Sequence, residues 1–302
     1  MRRGFDWLVL LMAFVTLDTP SVDGQFRLPF RLRIQPPTAP PTCDQTFSNV
    51  TGLANAINTA ANNTTICLNS GNYGTLTLAD IARSGFVTVR SVTGNGAQMS
   101  PQVSNSDFIR FRNMVWTNVV LSGCSTNIEF VDGEFLQDAP GLLVNESAAC
   151  GAQALLVDDV IFANVDMNLY EGRLSTNGSV NGLTVTNSFF GTNGYGDGVF
   201  LCGGQNITIG PGNVFDGVSQ TFCDANGGAH CDAIQCYGGC DTNTTITGNR
   251  FLNGATYVMA PDGSNGLVIE RNVFDECVVG YGGPVQFGNN IGSLSNLTYR
   301  HN

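Results

Sequence analysis

The chain has 302 residues, a formal net charge of −11, 42% hydrophobic residues and only 12% charged residues. All thirteen of its basic residues are arginines, and it contains no lysine. A surface that binds nucleic acid needs clustered positive charge, so this balance disfavours a nucleic-acid partner.

The N-terminal segment predicts a secretory signal peptide over residues 1–24. Two arginines precede an apolar run from Trp7 to Leu17, and small residues follow it. This order is typical of a cleaved leader, and the run is shorter than the about 20 residues that span a bilayer. We expect a secreted, extracellular chain that starts near Gln25 and has no membrane partner after cleavage. An uncleaved signal anchor is the alternative.

Residues 25–42 predict a linker, because five prolines between Pro29 and Pro41 favour an extended chain that packs no core. No comparable break follows. Residues 43–302 are therefore predicted to form one domain.

The domain opens with a predicted amphipathic helix over residues 50–61. Residues 65–78 then alternate apolar and polar side chains, as strands do. We expect the helix to cap the first coil of a stacked β structure, whose open edge otherwise invites aggregation. The apolar residues of the helix share one face at helical spacing: Leu53, Ala56, Ile57 and Ala60.

Ten cysteines behind a predicted signal peptide indicate an oxidising compartment and disulfide bonds. The sequence does not fix their connectivity, but Cys43 with Cys67 and Cys124 with Cys150 are plausible local groupings. Zinc binding by the later cysteines is a weaker alternative, because secreted thiols usually oxidise. The pairing of those six is open: Cys202, Cys223, Cys231, Cys236, Cys240 and Cys277.

Eight Asn-x-Ser/Thr sequons predict that the chain is a glycoprotein if its host is eukaryotic. This is a high density for one chain. The acceptor residues are Asn49, Asn62, Asn63, Asn145, Asn177, Asn206, Asn243 and Asn296.

An internal repeat carries the strongest signal for the fold. Short alternating segments are each followed by a polar turn and an aromatic residue, most clearly in 206–215, 243–251 and 266–274. The chain stops within the start of another such repeat, so we expect the domain to be C-terminally incomplete. The aromatic residues lie 19 to 36 positions apart: Trp116, Phe135, Phe162, Phe190, Phe215, Phe251 and Phe274.

One coil per repeat predicts an all-β fold, a single-stranded right-handed parallel β-helix (solenoid) with an N-terminal capping helix. The aromatic residues then stack in the core. Asn213, Asn249 and Asn272 recur at the turn, where asparagine tolerates left-handed φ and hydrogen-bonds to the asparagine one coil away. Leucine-rich repeats and propellers are the alternatives, but their characteristic spacings and dipeptides are absent.

The cap helix, coil period and asparagine turns resemble the pectin-lyase-like superfamily of right-handed β-helix proteins, over nearly all of residues 43–302. These features specify a fold better than an activity. The resemblance implies action on, or binding to, extracellular polysaccharides, because lyases, polygalacturonase-like hydrolases, uronan epimerases and phage tailspikes share this scaffold.

Two aligned segments predict the site. Residues 196–209 align with 231–246, which stacks Asp197 on Asp232 in neighbouring coils. An insertion precedes the second segment, and long insertions on solenoids often flank the binding surface.

The second segment begins beside His230, the only internal histidine. The His-x-Asp-x-x-Gln pattern of residues 230–235 is similar to a motif of uncharacterised right-handed β-helix proteins, which carries no established mechanism.

His230, Asp232 and Asp197 are the predicted catalytic residues. Asp232 can orient His230 as a general acid or base near neutral pH. Asp197, about 4.8 Å away in the next coil, can supply a second carboxylate or bind a cation such as calcium that neutralises a uronate. No dedicated metal ligands are predicted. Substrate-binding residues are predicted at Gln235, Tyr237, Arg250, Arg271 and Gln286.

The same residues have a structural interpretation. If Ile234 points inward, strict alternation turns Asp232 inward too, unless the strand begins after it. Asp232 then caps backbone amides in a turn, and His230 belongs to a loop between Cys223 and Cys231.

Three function classes remain for a chain expected to be a monomer. A polysaccharide lyase without lysine has Arg250, Arg271 or His230 for its chemistry. A glycoside hydrolase can use the aspartates, although the Asp-Asp and Gly-His-Gly segments of polygalacturonases are missing. A non-catalytic glycosylated surface, adhesion or carbohydrate-binding protein is the alternative. We favour a carbohydrate-cleaving enzyme that acts on an extracellular polymer containing uronic acid.

Overall fold

A computed structural model shows 27 β-strands, one α-helix and a short 3-10 helix at Gly94–Gly96 among the residues that it describes. All pairings between these strands are parallel. Strands pair with the equivalent strands of neighbouring coils, so the predicted parallel β-helix is confirmed. The predicted signal peptide and nearly all of the predicted linker lie outside the described residues, which are 42–136, 141–146, 150–151, 153–163, 174–191, 197–218, 231–237, 241–254, 258–260, 264–275, 284–287 and 295–302.

The strands form three stacks, here called A, B and C in the order in which each coil visits them. Some long strands turn a corner and contribute to two stacks. Stack A contains Gln45–Phe47, Thr65–Leu68, Val87–Ser91, Asp107–Arg112, the first parts of Thr126–Leu136 and Leu155–Ala163, Leu183–Thr186, Thr208–Ile209, Thr245–Thr247, Val268–Glu270 and Thr298–Arg300.

Stack B carries the aromatic residues of the repeat. It contains the first parts of Gly71–Ala79 and Ala97–Ser104, Val115–Trp116, the last parts of Thr126–Leu136 and Leu155–Ala163, Phe189–Phe190, Val214–Asp216, Arg250–Leu252 and Val273–Asp275.

Stack C carries the aligned segments of the candidate site. It contains the last parts of Gly71–Ala79 and Ala97–Ser104, Val119–Gly123, Leu142–Glu146, Leu174–Asn181, Val199–Gln205, Ile234–Cys236, Val258–Ala260 and Val285–Phe287, continued by Asp241–Thr242 and Ser264–Asn265.

The predicted aromatic ladder is present on the inner side of stack B. From Phe135 to Phe274, rings of successive coils stack with centroids 4.5 to 5.0 Å apart. Phe251 is fully buried, whereas Phe274 is partly buried. The ring column therefore forms a continuous part of the hydrophobic core.

The predicted asparagine ladder is also present, at the turn from stack A to stack B. Asn213 donates from Nδ2 to Oδ1 of Asn249 at 3.0 Å, and Asn249 donates in the same way to Asn272 at 3.0 Å. Asn272 donates to Asn302 at 3.1 Å, which extends the ladder into the last coil. Each buried amide thus has its hydrogen bonds satisfied by the neighbouring turn, as buried polar groups require.

The helix predicted over residues 50–61 is observed at Leu53–Thr59, and its inner face joins the core. The last carbonyls of a helix lack partners within the helix. Arg83, from the next coil, donates to the carbonyls of Ile57, Asn58 and Ala60. The capping role of the helix and the right-handed sense of the coil stay predictions.

Both expected local disulfides are confirmed. Their Cα atoms lie 5.6 Å apart for Cys43–Cys67 and 5.2 Å apart for Cys124–Cys150. Cys231 is also disulfide-bonded. Among the described residues, no helix has the length and apolar character that crossing a membrane requires. Three of the remaining cysteines lie outside the described residues: Cys223, Cys240 and Cys277.

Candidate functional site

The two aligned segments lie side by side in stack C. Strand Val199–Gln205 pairs with Ile234–Cys236, in a register that sets Val199 opposite Ile234. The residues just before each strand continue this contact, because the N–H of Gly198 donates to the carbonyl of Asp232 at 2.9 Å. The structure therefore places Asp197 next to Asp232, as the alignment of the segments predicts.

Asp197 is held by the backbone of the neighbouring coil. Its Oδ1 accepts a hydrogen bond of 2.8 Å from the N–H of Asp232, and its side chain is only 4% exposed. The following residue has to be small, because a Cβ on Gly198 would lie 2.6 Å from the carbonyl oxygen of Ala233 and 3.0 Å from the ring of Phe215. The Asp-Gly sequence thus fits the junction between the site and the aromatic column.

Asp232 has a different environment. Its side chain is 1% exposed, and its Oδ2 has no hydrogen-bond partner among the described residues. Burial disfavours the charged form of a carboxyl group. It raises the pKa of Asp232 from 3.8 to about 7. This carboxyl group is therefore able to hold a proton near neutral pH.

The local backbone bears on the catalytic and the structural interpretations of Asp232. Regular strand structure begins at Ile234, two residues later, and both Ile234 and Asp232 are buried, as the structural interpretation expects. Asp197, rather than Asp232, is the aspartate whose carboxyl oxygen accepts the backbone N–H. His230 and Cys223, the other residues of the predicted loop, lie outside the described residues.

The strand after Asp232 presents two of the predicted substrate-binding residues. Gln235 lies opposite Phe200 in the register and is only 6% exposed, whereas Tyr237 follows the strand and is 52% exposed. The rings of Phe200 and Tyr237 stack, with centroids 5.9 Å apart and planes inclined by 30°. Exposed aromatic faces with a polar tip suit contacts to sugars.

Phe200 is a residue of this face that the sequence analysis missed. It stands between Val199 and Leu201, so the continuous apolar run hides which side chains point outward. A signal for it exists in the alignment, since Phe200 occupies the place of Gln235 in the next coil.

The remaining predicted substrate-binding residues are spread over the coil. Gln286 falls on the same line as Gln235, with Met259 between them. Arg250 lies in stack B, where its guanidinium pairs with Asp275 at 3.2 Å. Arg271 is exposed at the turn from stack A to stack B, with a φ of 57°. Neither arginine shares a stack with the aspartates.

The described residues do not form a complete calcium site. Calcium takes about 6 to 8 oxygen ligands. No group of three or more His, Cys, Asp or Glu side chains placed to hold a metal occurs within the described part of the chain. Two carboxyl groups, one of them protonated near neutral pH, are too few. No chemical step is therefore assigned to a metal.

Comparisons with known proteins give structural likenesses only. No protein-family model and no curated protein matches the chain. It is similar to an alginate lyase from Paenibacillus sp. str. FPU-7, with 15% identity, 82% of this chain and 99% of that chain covered, and a TM-score of 0.47. It is also similar to a mannuronic acid specific polysaccharide family 6 lyase from human gut microbiota, with 9% identity, 80% and 67% coverage, and a TM-score of 0.45.

A surface adhesin of Streptococcus pneumoniae, PfbA, is similar as well. The identity is 10%, the likeness covers 82% of this chain and 89% of that chain, and the TM-score is 0.38. At these identities no residue role is transferred to this chain.

Proposed function

We propose that this protein is a carbohydrate-cleaving enzyme whose centre contains Asp232 and Asp197. The observation that carries the proposal is the contrast between these neighbouring aspartates. Asp232 is desolvated, with a pKa of about 7, whereas Asp197 accepts a backbone hydrogen bond. Pairs of carboxyl groups in contrasting environments divide the roles of acid and base in glycoside cleavage.

In this proposal, Asp232 is the proton donor. Cleavage of a glycosidic bond leaves an oxygen that needs a proton, and a carboxyl group still protonated near neutral pH can supply it. Asp197 is the second carboxylate, which activates water in hydrolysis. In elimination, a base takes the proton beside the uronate carboxyl group, and His230 is the candidate for that role.

The proposed substrate is an extracellular polymer that contains uronic acid. Tyr237 and the partly buried Phe200 offer an aromatic face for its sugar rings. The choice of uronic acid as the sugar rests on the resemblance of the sequence to the pectin-lyase-like superfamily. With a net charge of −11, the chain repels a polyanion unless cations screen the contact. We therefore propose that added calcium increases the activity.

The cellular setting belongs to the same proposal. We place the mature protein outside the cell as a monomer, with a right-handed coil capped by helix Leu53–Thr59. Two disulfides and a third bonded cysteine support an oxidising compartment.

A substrate panel tests the activity. Pectins, alginates and neutral glycans are incubated with the protein, and unsaturated products and new reducing ends are measured in parallel, with calcium or a chelator. Unsaturated products identify a lyase, and reducing ends alone identify a hydrolase. We expect Asp232→Asn to lower the rate about 10²- to 10⁴-fold, the usual contribution of a general acid.

Asp80→Asn is the matched control. Asp80 is exposed at a turn with a φ of 55°, a conformation that asparagine tolerates. We expect this variant to keep the wild-type rate. If Asp232→Asn stays within about threefold of wild type, Asp232 is not the general acid. Absence of activity on every polymer favours the non-catalytic adhesion or carbohydrate-binding protein.

A further inference from the structure

Three sequon asparagines occupy one turn position, where the chain passes from stack C to stack A. Asn206, Asn243 and Asn296 have φ values of 56°, 57° and 54°, in the left-handed region. Gly266, with a φ of 80°, holds the same position in the coil between the last two. Glycine and asparagine adopt this region with little strain. The backbone at this turn therefore favours Asn, Asp or Gly; Asp80 adopts it in an earlier coil with a φ of 55°.

The coil also determines which residue types suit the next two positions. The first is buried in three successive coils, at Ile207, Thr244 and Leu267. The second position is the first residue of a stack A strand. It is β-branched in each coil, as strands favour: Thr208, Thr245 and Val268. Because the Gly-Leu-Val coil has the same geometry without a sequon, the Asn-x-Thr pattern at this turn is a product of the fold.

The side chains of these asparagines hydrogen-bond along the coil. Nδ2 of Asn206 donates to Oδ1 of Asn181 at 2.8 Å, and Nδ2 of Asn243 donates to Oδ1 of Asn206 at 3.3 Å. Nδ2 of Asn296 donates to Oδ1 of Asn265 at 2.9 Å. Nδ2 is the atom that carries an N-glycan.

Two other sequon asparagines have the opposite environment. Asn49 and Asn145 are exposed, and their Nδ2 atoms have no hydrogen-bond partner among the described residues. Oδ1 of Asn49 accepts the N–H of Thr51 at 2.9 Å, which fixes the side chain through its oxygen. Asn145 lies opposite Ser122, a small neighbour. Within the described part of the chain, a glycan at either position interrupts no ladder of side-chain hydrogen bonds.

We propose that Asn49 and Asn145 are glycan acceptors of the folded protein, and that Asn206, Asn243 and Asn296 are unmodified structural rungs. The acceptor Nδ2 forms a bond to the anomeric carbon of a lipid-diphosphate-linked oligosaccharide. The bond from that carbon to the phosphate oxygen breaks, the lipid diphosphate leaves and the amide loses one proton. Chains modified on a rung fold less well and are depleted from the secreted material.

Site occupancy tests the assignment. The full chain is secreted from eukaryotic cells, deglycosylated enzymatically in heavy-oxygen water and mapped by peptide mass spectrometry, which marks each former acceptor. We expect occupancy at Asn49 and Asn145 to exceed that at the three rungs at least about tenfold. Comparable occupancy at the rungs overturns the proposal, and so does a secreted protein without glycans at Asn49 and Asn145.

A pair of variants checks the result independently. Thr245→Val destroys the sequon of Asn243 while keeping a β-branched residue, as Val268 does in the next coil. Its mobility on a denaturing gel should equal that of the wild type. Asn145→Gln should gain mobility equivalent to one glycan. A gain in mobility for Thr245→Val shows that Asn243 carries a glycan and contradicts the proposal.

Discussion

At the scale of the residue, burial determines the chemistry of Asp232. An isolated aspartate in water is ionised at neutral pH. Here the carboxyl group is 1% exposed, and one of its oxygens has no hydrogen-bond partner among the described residues. Ionisation therefore costs free energy in the folded state. This cost supports the proposal that Asp232 is a proton donor.

The raised pKa predicts how stability depends on pH. The folded pKa of Asp232 is about 7, above its usual 3.8. Between these values the folded state binds more protons than the unfolded state, so stability falls as pH rises from about 4 to about 7 and the loss is complete above the folded pKa. At about 1.4 kcal/mol per pH unit, the contribution reaches about 4 kcal/mol.

Asp232→Asn removes this titration. Denaturant unfolding at a series of pH values should show the variant gaining stability relative to wild type across that window, by up to about 4 kcal/mol. Asp80→Asn, at an exposed turn, is the control for the same substitution at a surface position. A constant difference for Asp232→Asn would show that Asp232 does not titrate abnormally.

At the scale of the element, columns of like side chains link successive coils. The Phe column fills the inner side of stack B, and the Asn213–Asn302 ladder closes the turn beside it. Most strands are only two to five residues long, so little of their stability is local. The neighbouring coil supplies both their backbone hydrogen bonds and their core contacts.

Removing one ring tests the aromatic column. Phe251 is fully buried between Phe215 and Phe274, so Phe251→Ala should lower the free energy of unfolding by about 3 to 5 kcal/mol through lost burial and a cavity. Phe189 faces outward from the same stack and is 37% exposed. Phe189→Ala should cost less than about 1 kcal/mol in the same urea titration. Equal losses in the free energy of unfolding would show that the rings of the column do not stabilise the core.

At the scale of the whole molecule, disulfides fasten the coils to one another. Cys43–Cys67 joins segments of the first coils, and Cys124–Cys150 joins later ones. A solenoid has few contacts between coils that are distant in sequence. Such crosslinks restrict the unfolded chain and protect the coils they join.

Peptide mapping of secreted protein tests this organisation. Without reduction, we expect crosslinked peptides containing Cys43 with Cys67 and Cys124 with Cys150, and an N-terminus near Gln25. Both crosslinks should disappear after reduction, which serves as the control. An intact Met1 would refute the cleaved signal peptide, and free thiols at these four cysteines would refute the oxidised fold.

The sequence by itself determined the features that repeat. The aromatic column, the asparagine turn and the stacking of Asp197 on Asp232 all follow from the coil period, because equivalent positions of successive coils must lie next to each other. The amphipathic helix was predictable for a different reason, because its apolar spacing is a local pattern.

Only the tertiary structure decided the environment of each side chain. Burial of Asp232, the start of its strand at Ile234 and the contact between Phe200 and Tyr237 depend on neighbouring coils. The pairing of Arg250 with Asp275, away from stack C, is equally invisible in the sequence. Spacing fixes which residues are equivalent, but exposure and hydrogen bonding depend on atoms contributed by segments distant in the chain.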